Sequence, residues 1–124
     1  MEDDVYIWMQ KRETLDELQG KLEFPGGKIE KDETPILAAI REVQEEVSVS
    51  LSDDELELAT IFENKLVDKI INLYVFICHS SFKFQDTESS KWFPYGKKES
   101  FWLDIPPANQ SFLDDIINNI KLST

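Results

Sequence analysis

The chain has 124 residues and a mass of 14.4 kDa, the size of one domain, and 41% of its residues are hydrophobic, which favours a folded core over intrinsic disorder. Its 13 basic and 25 acidic residues give a formal net charge of -12. This charge has the wrong sign for direct binding of a nucleic-acid backbone or an anionic membrane, so a phosphate-bearing partner requires a cation between it and the protein.

The first elements in chain order are two strands and a turn. Residues 5–9 (VYIWM) are β-branched and aromatic, which is typical of a strand, and residues 22–24 form a second apolar piece. Pro25, Gly26 and Gly27 predict a turn, because proline fixes one backbone dihedral angle and paired glycines permit positive φ.

A helix and a hairpin follow. Thr34 offers an N-cap hydroxyl in front of Pro35, a favoured first residue of a helix, so we predict a helix that continues through residues 36–47. After a polar turn, residues 58–62 and 70–79 are rich in apolar and β-branched side chains and predict two strands that could pair.

The last third of the chain predicts a loop, a short strand and a second helix. Residues 85–98 mix charged residues, serine, proline and glycine with three aromatic residues, which is typical of a surface loop that touches ligands. Residues 101–103 predict a short strand. Residues 112–122 repeat apolar side chains at helical spacing. The aromatic residues of the predicted loop are Trp92, Phe93 and Tyr95.

The order of these elements predicts a layered α/β or α+β fold with a mixed β-sheet, in a single domain over residues 1–124. The one cysteine, Cys78, excludes an internal disulfide, and with the one histidine, His79, it cannot complete a four-ligand zinc site. Residues 1–4 are acidic where a signal peptide is basic, and no apolar stretch approaches the ~20 residues of a membrane span. We therefore expect a cytoplasmic protein without a membrane partner.

One face of the first predicted helix carries the carboxylates of Glu42, Glu45 and Glu46, because successive residues lie about 100° apart around the axis. Like charges at these spacings destabilise a helix, and Arg41 alone leaves a negative surplus that a divalent metal would neutralise. A solvated acidic face without any ligand is the alternative.

Two features in front of the helix favour the metal. Glu33 lies at the helix entrance, where a carboxylate is favoured by the helix dipole. Gly26 and Gly27 lie just before it, and glycine exposes backbone oxygens and permits close approach of a ligand or a metal. A tight turn with no further role explains the two glycines equally well.

These residues follow the pattern G-x5-E-x7-R-E-U-x-E-E-x-G-U, where U is an aliphatic residue. The pattern resembles the Nudix box, and fixed residue types at so many fixed offsets make it far more specific than a lone glycine motif. The positions that match are Gly27, Glu33, Arg41, Glu42, Val43, Glu45, Glu46 and Val49.

The resemblance implies a hydrolase that cleaves a nucleoside diphosphate linked to another moiety, on an α/β/α sandwich. It implies that Glu42, Glu45 and Glu46 hold Mg2+, or Mn2+ in its place, with the Gly27 carbonyl as a further ligand. It also implies that Arg41 and Glu33 brace these carboxylates, and that Glu45 or Glu46 deprotonates the attacking water.

Outside the box, residues 22–30, 33–35 and 106–109 and the residue Arg12 are similar to the MutT branch of that family. This branch hydrolyses nucleoside triphosphates, often oxidised ones such as 8-oxo-dGTP, to the monophosphate and pyrophosphate. The resemblance implies that Asn109 reads the base and that Arg12 contacts a phosphate. A helix N-cap for Asn109 and a solvated strand-end arginine for Arg12 are the alternatives.

The chain departs from the branch at three places. Ser48 replaces a box glycine, which costs about 1 kcal/mol if the position needs positive φ. A strand expected before residues 5–9 is missing or truncated, and a second copy covering that sheet edge would give a homodimer. The segment that carries Glu99 is shorter than in MutT, so Glu99 is only a candidate for the extra metal ligand or base of that loop.

Two other functions stay open from the sequence. Another nucleoside diphosphate derivative, such as a nucleotide sugar, could be the substrate, because the aromatic residues at 92, 93 and 95 can stack on any base. The missing strand and Ser48 also allow a module that binds a nucleotide without cleaving it.

Overall fold

The computed structural model describes residues 5–12 and 20–122, with side chains up to residue 119 in the last helix. The chain forms two compact units, a terminal unit (Met1–Phe24 with Phe84–Thr124) and a central unit (Pro25–Lys83). A single domain over residues 1–124 stays a prediction. The expected absence of a first strand, with the homodimer that it suggested, concerns residues 1–4, which lie outside the described residues.

The structure contains strands and helices of an α+β protein, which confirms the predicted fold class. Within residues 5–12 and 20–122, no helix is long and apolar enough to span a membrane. The elements are β1 (Tyr6–Lys11), β2 (Leu22–Glu23), α1 (Pro35–Val47), β3 (Leu56–Lys65), β4 (Ile70–Cys78), β5 (Ser90–Pro94) and α2 (Pro107–Leu122).

The terminal unit is built on an antiparallel sheet with the order β2-β1-β5. Met9 of β1 is fully buried, and Trp8 beside it packs its ring on Phe84 at 5.1 Å between ring centroids. Helix α2 buries Phe112, Leu113 and Ile117 along one face, as expected for the helical spacing of its apolar residues.

Two predictions for the terminal unit are wrong. The expected loop over residues 85–98 contains β5, which pairs with β1, followed by the 3-10 segment Tyr95–Ser100. The expected strand at residues 101–103 is a second 3-10 turn, since the N–H of Asp104 donates to the carbonyl of Phe101. A run of three apolar residues is too short to distinguish the two conformations.

Helix α2 begins five residues before the predicted residue 112, at Pro107. Proline is tolerated there because the first N–H groups of a helix lack partners in the helix. The earlier start places Asn109 inside the first helical turn, so its N-cap alternative is wrong.

The central unit contains α1 and the hairpin β3–β4, both as predicted. The Thr34 hydroxyl accepts a hydrogen bond from the N–H of Leu37 (3.3 Å), and Pro35 occupies the first helical position. Strands β3 and β4 pair antiparallel, with an irregularity between Leu58 and Thr60. All described strand pairs are antiparallel, so no parallel pair of the expected mixed sheet lies among the described strands.

Helix α1 ends at Ser48, which adopts the left-handed conformation (φ 59°, ψ 35°) and donates its N–H to the carbonyl of Gln44 (3.1 Å). Ser48 therefore has the positive φ at which a residue with a Cβ is strained. We expect Ser48→Gly to raise the free energy of unfolding by about 1 kcal/mol, because glycine has no Cβ to clash in this conformation. Urea denaturation measures the change.

The control for this prediction is Ser48→Ala, which keeps a Cβ in the left-handed conformation and should therefore give no such gain. Equal stability of the glycine and alanine variants would contradict a conformational cost at Ser48.

Candidate active site

The guanidinium group of Arg41 is the centre of the candidate site in the central unit. Its Nε donates to Glu33 Oε2 (2.8 Å) and its Nη2 donates to Glu33 Oε1 (3.0 Å), so the two side chains form a bidentate pair. Glu33 is further fixed because its Oε1 accepts the N–H of Glu30 (2.9 Å). This pair joins the chain in front of α1 to the middle of the helix.

Arg41 also contacts two of the three clustered carboxylates. Its Nη1 donates to Glu42 Oε1 (2.8 Å) and to Glu45 Oε1 (3.1 Å), while Nη2 donates to the backbone carbonyl of Lys28 (2.9 Å). Glu30 completes the set with a carboxylate oxygen 3.5 Å from Nε. The positive charge of Arg41 therefore partly offsets the negative charge of the carboxylates that surround it.

These contacts shift the protonation equilibria of the pair. The hydrogen bond from Arg41, followed by the backbone hydrogen bond from Glu30, holds the pKa of Glu33 below its usual value. Hydrogen bonds to Glu33 and Glu42 raise the pKa of Arg41 above its already high value. Both groups therefore stay ionised at neutral pH.

The loop in front of α1 lies directly against the acidic face of the helix. A Cβ placed on Gly27 would lie 2.6 Å from both Cδ and Oε1 of Glu42, whereas a Cβ on Gly26 would meet nothing within 4 Å. The N–H of Gly26 donates to Glu46 Oε2 (3.1 Å). Gly27 thus permits close approach of the Glu42 carboxylate, while the predicted approach of a ligand or a metal stays a prediction.

The donors around this loop suit a hard divalent cation such as Mg2+, which prefers carboxylate and carbonyl oxygens. Glu42 is half-buried, while Glu45 and Glu46 are exposed. Within the described part of the chain, no three Asp, Glu, His or Cys side chains are gathered closely enough to hold a metal ion. The three carboxylates instead accept hydrogen bonds from Arg41 and from the N–H of Gly26.

The other candidate residues belong to the terminal unit and lie on three separate elements. Arg12 follows β1 and donates from Nη1 to Glu23 Oε2 (3.0 Å), so it is ion-paired rather than simply solvated. Glu99 is exposed in the 3-10 segment. Asn109 is half-buried in the first turn of α2 and donates its N–H to the carbonyl of Pro106 (2.9 Å).

The aromatic residues predicted to face a ligand are engaged within the terminal unit. Trp92 donates its indole N–H to the carbonyl of Phe84 (2.8 Å), and the ring of Phe93 packs on Phe101 at 5.1 Å. Tyr95 donates its hydroxyl to Asp114. The three residues are close in the sequence because two lie in β5 and the third follows it directly. This closeness along the chain does not by itself provide a surface on which a base can stack.

Sequence reasoning missed two sets of contacts. The carbonyl of Lys28 and the carboxylate of Glu30 also contact Arg41, and the only available signal was their position between the glycines and Glu33. The contacts of Asp114 were missed because its partner segment was predicted as a loop without structure.

The chain matches known proteins over most of its length. The family model described as NUDIX domain matches residues 1–109. The 8-oxo-dGTP diphosphatase of Escherichia coli is 32% identical over 112 residues, which cover 84% of this chain and 80% of that protein. The 8-oxo-dGTP diphosphatase of Haemophilus influenzae is 27% identical over an alignment of 124 residues, covering 90% and 82% of the two chains.

Two solved structures share the fold. The solution structure of the Escherichia coli ORF135 protein has a TM-score of 0.68 and 22% sequence identity, and the match covers 88% of this chain and 77% of that one. A MutT/nudix family protein from Enterococcus faecalis has a TM-score of 0.52 at 19% identity, covering 75% and 38%.

The hydrogen bonds between Arg41 and Glu33 lead to a prediction about the protonation of Glu33. In Arg41→Met, we expect the pKa of Glu33 to rise towards its usual value, because the hydrogen bonds that favour the carboxylate are lost. A lowered pKa in the folded state stabilises the fold above the usual pKa, and this stabilisation is lost as the pH falls through the lowered value. NMR titration of the side-chain carboxyl carbons measures the shift.

Glu55 provides an internal control in the same titration. Hydrogen bonds from Lys83 and then Ser80 lower its pKa to about 2, and Arg41 takes no part in them. An unchanged Glu33 pKa in Arg41→Met, or an equal shift at Glu55, would contradict the assignment.

Proposed function

Since this chain belongs to the NUDIX domain family, we propose that it hydrolyses a nucleoside triphosphate to the monophosphate and pyrophosphate, with Mg2+ as the cofactor and Mn2+ able to replace it. The chain is a pyrophosphohydrolase that acts on phosphoric anhydride bonds. The observation that carries the proposal is the contact between the glycine loop and the acidic face of α1, held by Arg41.

An oxidised purine nucleotide such as 8-oxo-dGTP is the proposed substrate. The relatives that carry the name 8-oxo-dGTP diphosphatase match most of this chain. The net charge of -12 supports a cation-dependent reaction, because an acidic protein repels a free triphosphate unless positive charge lies between them.

The proposed metal ligands are the side chains of Glu42, Glu45 and Glu46 and the backbone carbonyl of Gly27. A bound divalent cation would offset the charge of the phosphates and lower the pKa of a bound water. Glutamate side chains have rotatable bonds that let them turn from their present protein donors to such a ligand. Among these carboxylates, Glu42 is the least exposed, with 18% of its side chain accessible, against 61% for Glu45.

Two further roles are proposed in the central unit, which are proton transfer and support of the metal ligands. Glu45 or Glu46 accepts the proton of the attacking water, since both are exposed on the same face of α1. Glu33 and Arg41 brace the carboxylates through the bidentate pair.

The proposed substrate contacts are Arg12 and Asn109. Arg12 would contact a phosphate, and its pairing with Glu23 orients the guanidinium. Asn109 would read the base, because an amide offers both a donor and an acceptor. Glu99 would act as an extra metal ligand or base.

The two alternative functions now have less support. A nucleotide-sugar substrate was suggested by stacking rings, yet these rings are engaged with other residues of the terminal unit. A module that binds without cleaving is opposed by the complete set of carboxylates and by their brace. Both stay as outcomes of the assay below.

A nucleotide panel tests the proposal. Purified protein is incubated with Mg2+ and canonical triphosphates, 8-oxo-dGTP, nucleotide sugars and dinucleotides, and phosphate and pyrophosphate release are measured. We expect fastest turnover of a triphosphate with release of pyrophosphate. We expect Glu46→Gln to lower kcat by a factor of about 100 or more, because a proposed metal ligand and base is lost.

The alternative functions have distinct signatures in this panel. Preferred turnover of a nucleotide sugar would overturn the substrate, and tight binding without any turnover would favour a sensor. Full activity of Glu46→Gln would contradict the ligand set.

The glycine loop offers a matched pair of variants. In Gly27→Ala the new Cβ would displace the Glu42 carboxylate, so we expect Mn2+ affinity to fall about tenfold, since a change that misplaces a ligand's support typically has this size. Gly26→Ala should leave the affinity unchanged, because nothing lies within 4 Å of its Cβ position.

Isothermal titration calorimetry with Mn2+ and with no nucleotide measures both affinities. Equal loss in the two variants would indicate a general effect on the loop, and it would contradict the specific role of the contact between Gly27 and Glu42.

A further inference from the structure

A cluster of side chains joins the segment after β5 to helix α2. The segment Tyr95–Ser100 consists of two short 3-10 turns, and the backbone leaves helical angles between them at Lys97 (φ -118°, ψ 34°). Tyr95 lies before this kink and Lys98 lies after it. Both side chains donate to the same carboxylate oxygen, Oδ1 of Asp114 on α2.

The side chains of this cluster also contact one another. The Tyr95 hydroxyl donates to Asp114, and Lys98 Nζ donates to Asp114 Oδ1 (3.3 Å) and to the Tyr95 hydroxyl oxygen (3.2 Å). The ammonium group also lies over the rings of Tyr95 and Trp102, at 4.8 and 4.7 Å from their centroids. Such cation–π contacts add to the ion pair and hold the lysine stem in place.

A second contact from α2 holds the chain a few residues further on. Gln110 donates from Nε2 to the carbonyls of Trp102 (2.9 Å) and Ile105 (2.8 Å). Gln110 and Asp114 are four residues apart and therefore share one face of the helix. The helix that carries Asn109 thus fixes the kinked segment from one side.

Glu99 lies directly after Lys98 in this segment. It is exposed, and within the described part of the chain its side chain makes no hydrogen bond or ion pair. Only the backbone therefore sets the position of this residue and the direction in which its side chain leaves the chain. Because the backbone bends at Lys97, that direction depends on what holds the two turns together.

We infer that Asp114 is a positioning residue, which fixes the kinked segment Tyr95–Ser100 against α2 and so holds Glu99 in the direction in which it acts on the substrate. This inference rests on the proposed role of Glu99 in the hydrolysis. Asp114 itself has no contact with the substrate in this scheme and acts through Tyr95 and Lys98.

Two variants weaken the cluster without removing its packing. Lys98→Met keeps an unbranched stem against the two rings and removes the ammonium group, and Asp114→Asn removes the charge at nearly constant shape. We expect each to lower kcat about tenfold, with KM changed less than about twofold, because a misdirected group affects the reaction more than binding.

A double-mutant cycle tests whether the effect passes through Glu99. In a Glu99→Gln background, Lys98→Met should cause no further loss, because the group that it misdirects is already absent. Full additivity of the two losses would overturn the inference, and so would a rise in KM with an unchanged kcat.

The neighbouring residues supply matched controls. Lys97→Met and Asp115→Asn make the same chemical changes at exposed positions whose side chains have no hydrogen bond or ion pair within the described residues, and both should keep wild-type kinetics. Losses equal to those of Lys98→Met and Asp114→Asn would show a general charge effect and overturn the inference.

Tryptophan fluorescence checks the cluster independently of activity. Removal of the ammonium group in Lys98→Met should change the emission of Trp102, and the change should vanish when the same substitution is made in Trp102→Phe. An unchanged emission would show that the cation does not lie over the ring in solution, which would overturn the inference.

The kinetic measurements use whichever nucleotide of the panel is turned over fastest. A preferred substrate other than a triphosphate would therefore overturn the proposed function and leave the test of Asp114 intact. Thermal unfolding of each variant confirms that it is folded, and if Asp114→Asn does not fold, Lys98→Met with its cycle decides the question.

Discussion

The bidentate pair between Arg41 and Glu33 is the interaction on which the candidate site depends. It ties the chain in front of α1 to the helix, and the same guanidinium reaches Glu42, Glu45 and the carbonyl of Lys28. A planar group with five N–H donors can serve several acceptors at once, whereas a lysine ammonium would provide only three donors and no fixed plane. The arrangement lets carboxylates crowd one face of a helix that they would otherwise destabilise.

The crowded carboxylates also require a loop whose backbone can approach Glu42 closely. Gly27 has no Cβ, and the carboxylate of Glu42 occupies the place where that atom would be. The Lys28 carbonyl of the loop and the Glu42 carboxylate of the helix accept hydrogen bonds from the same guanidinium group. Hard oxygen donors with a net negative charge suit the divalent cation that we propose as the cofactor.

In the terminal unit, helix α2 fixes an irregular segment of the chain. Through Gln110 and Asp114, α2 holds the irregular segment that follows β5, while Phe112, Leu113 and Ile117 of the same helix are buried. Irregular segments carry functional side chains when a rigid element fixes them. The proposed substrate contact Asn109 and the proposed extra carboxylate Glu99 would both depend on this helix.

Spacing along the chain was enough to predict α1, its Thr34 cap, the β3–β4 hairpin and the family, because helix periodicity, capping and a fixed-offset motif are local properties. Tertiary structure decided the rest. Residues 85–103 carry apolar and polar side chains without a clear period, so the strand β5 is specified by its partner β1, and the following turns are specified by their bonds to α2. The approach of Gly27 to Glu42 and the shared oxygen of Asp114 depend on where separate backbone segments meet, which no local pattern of residue types encodes.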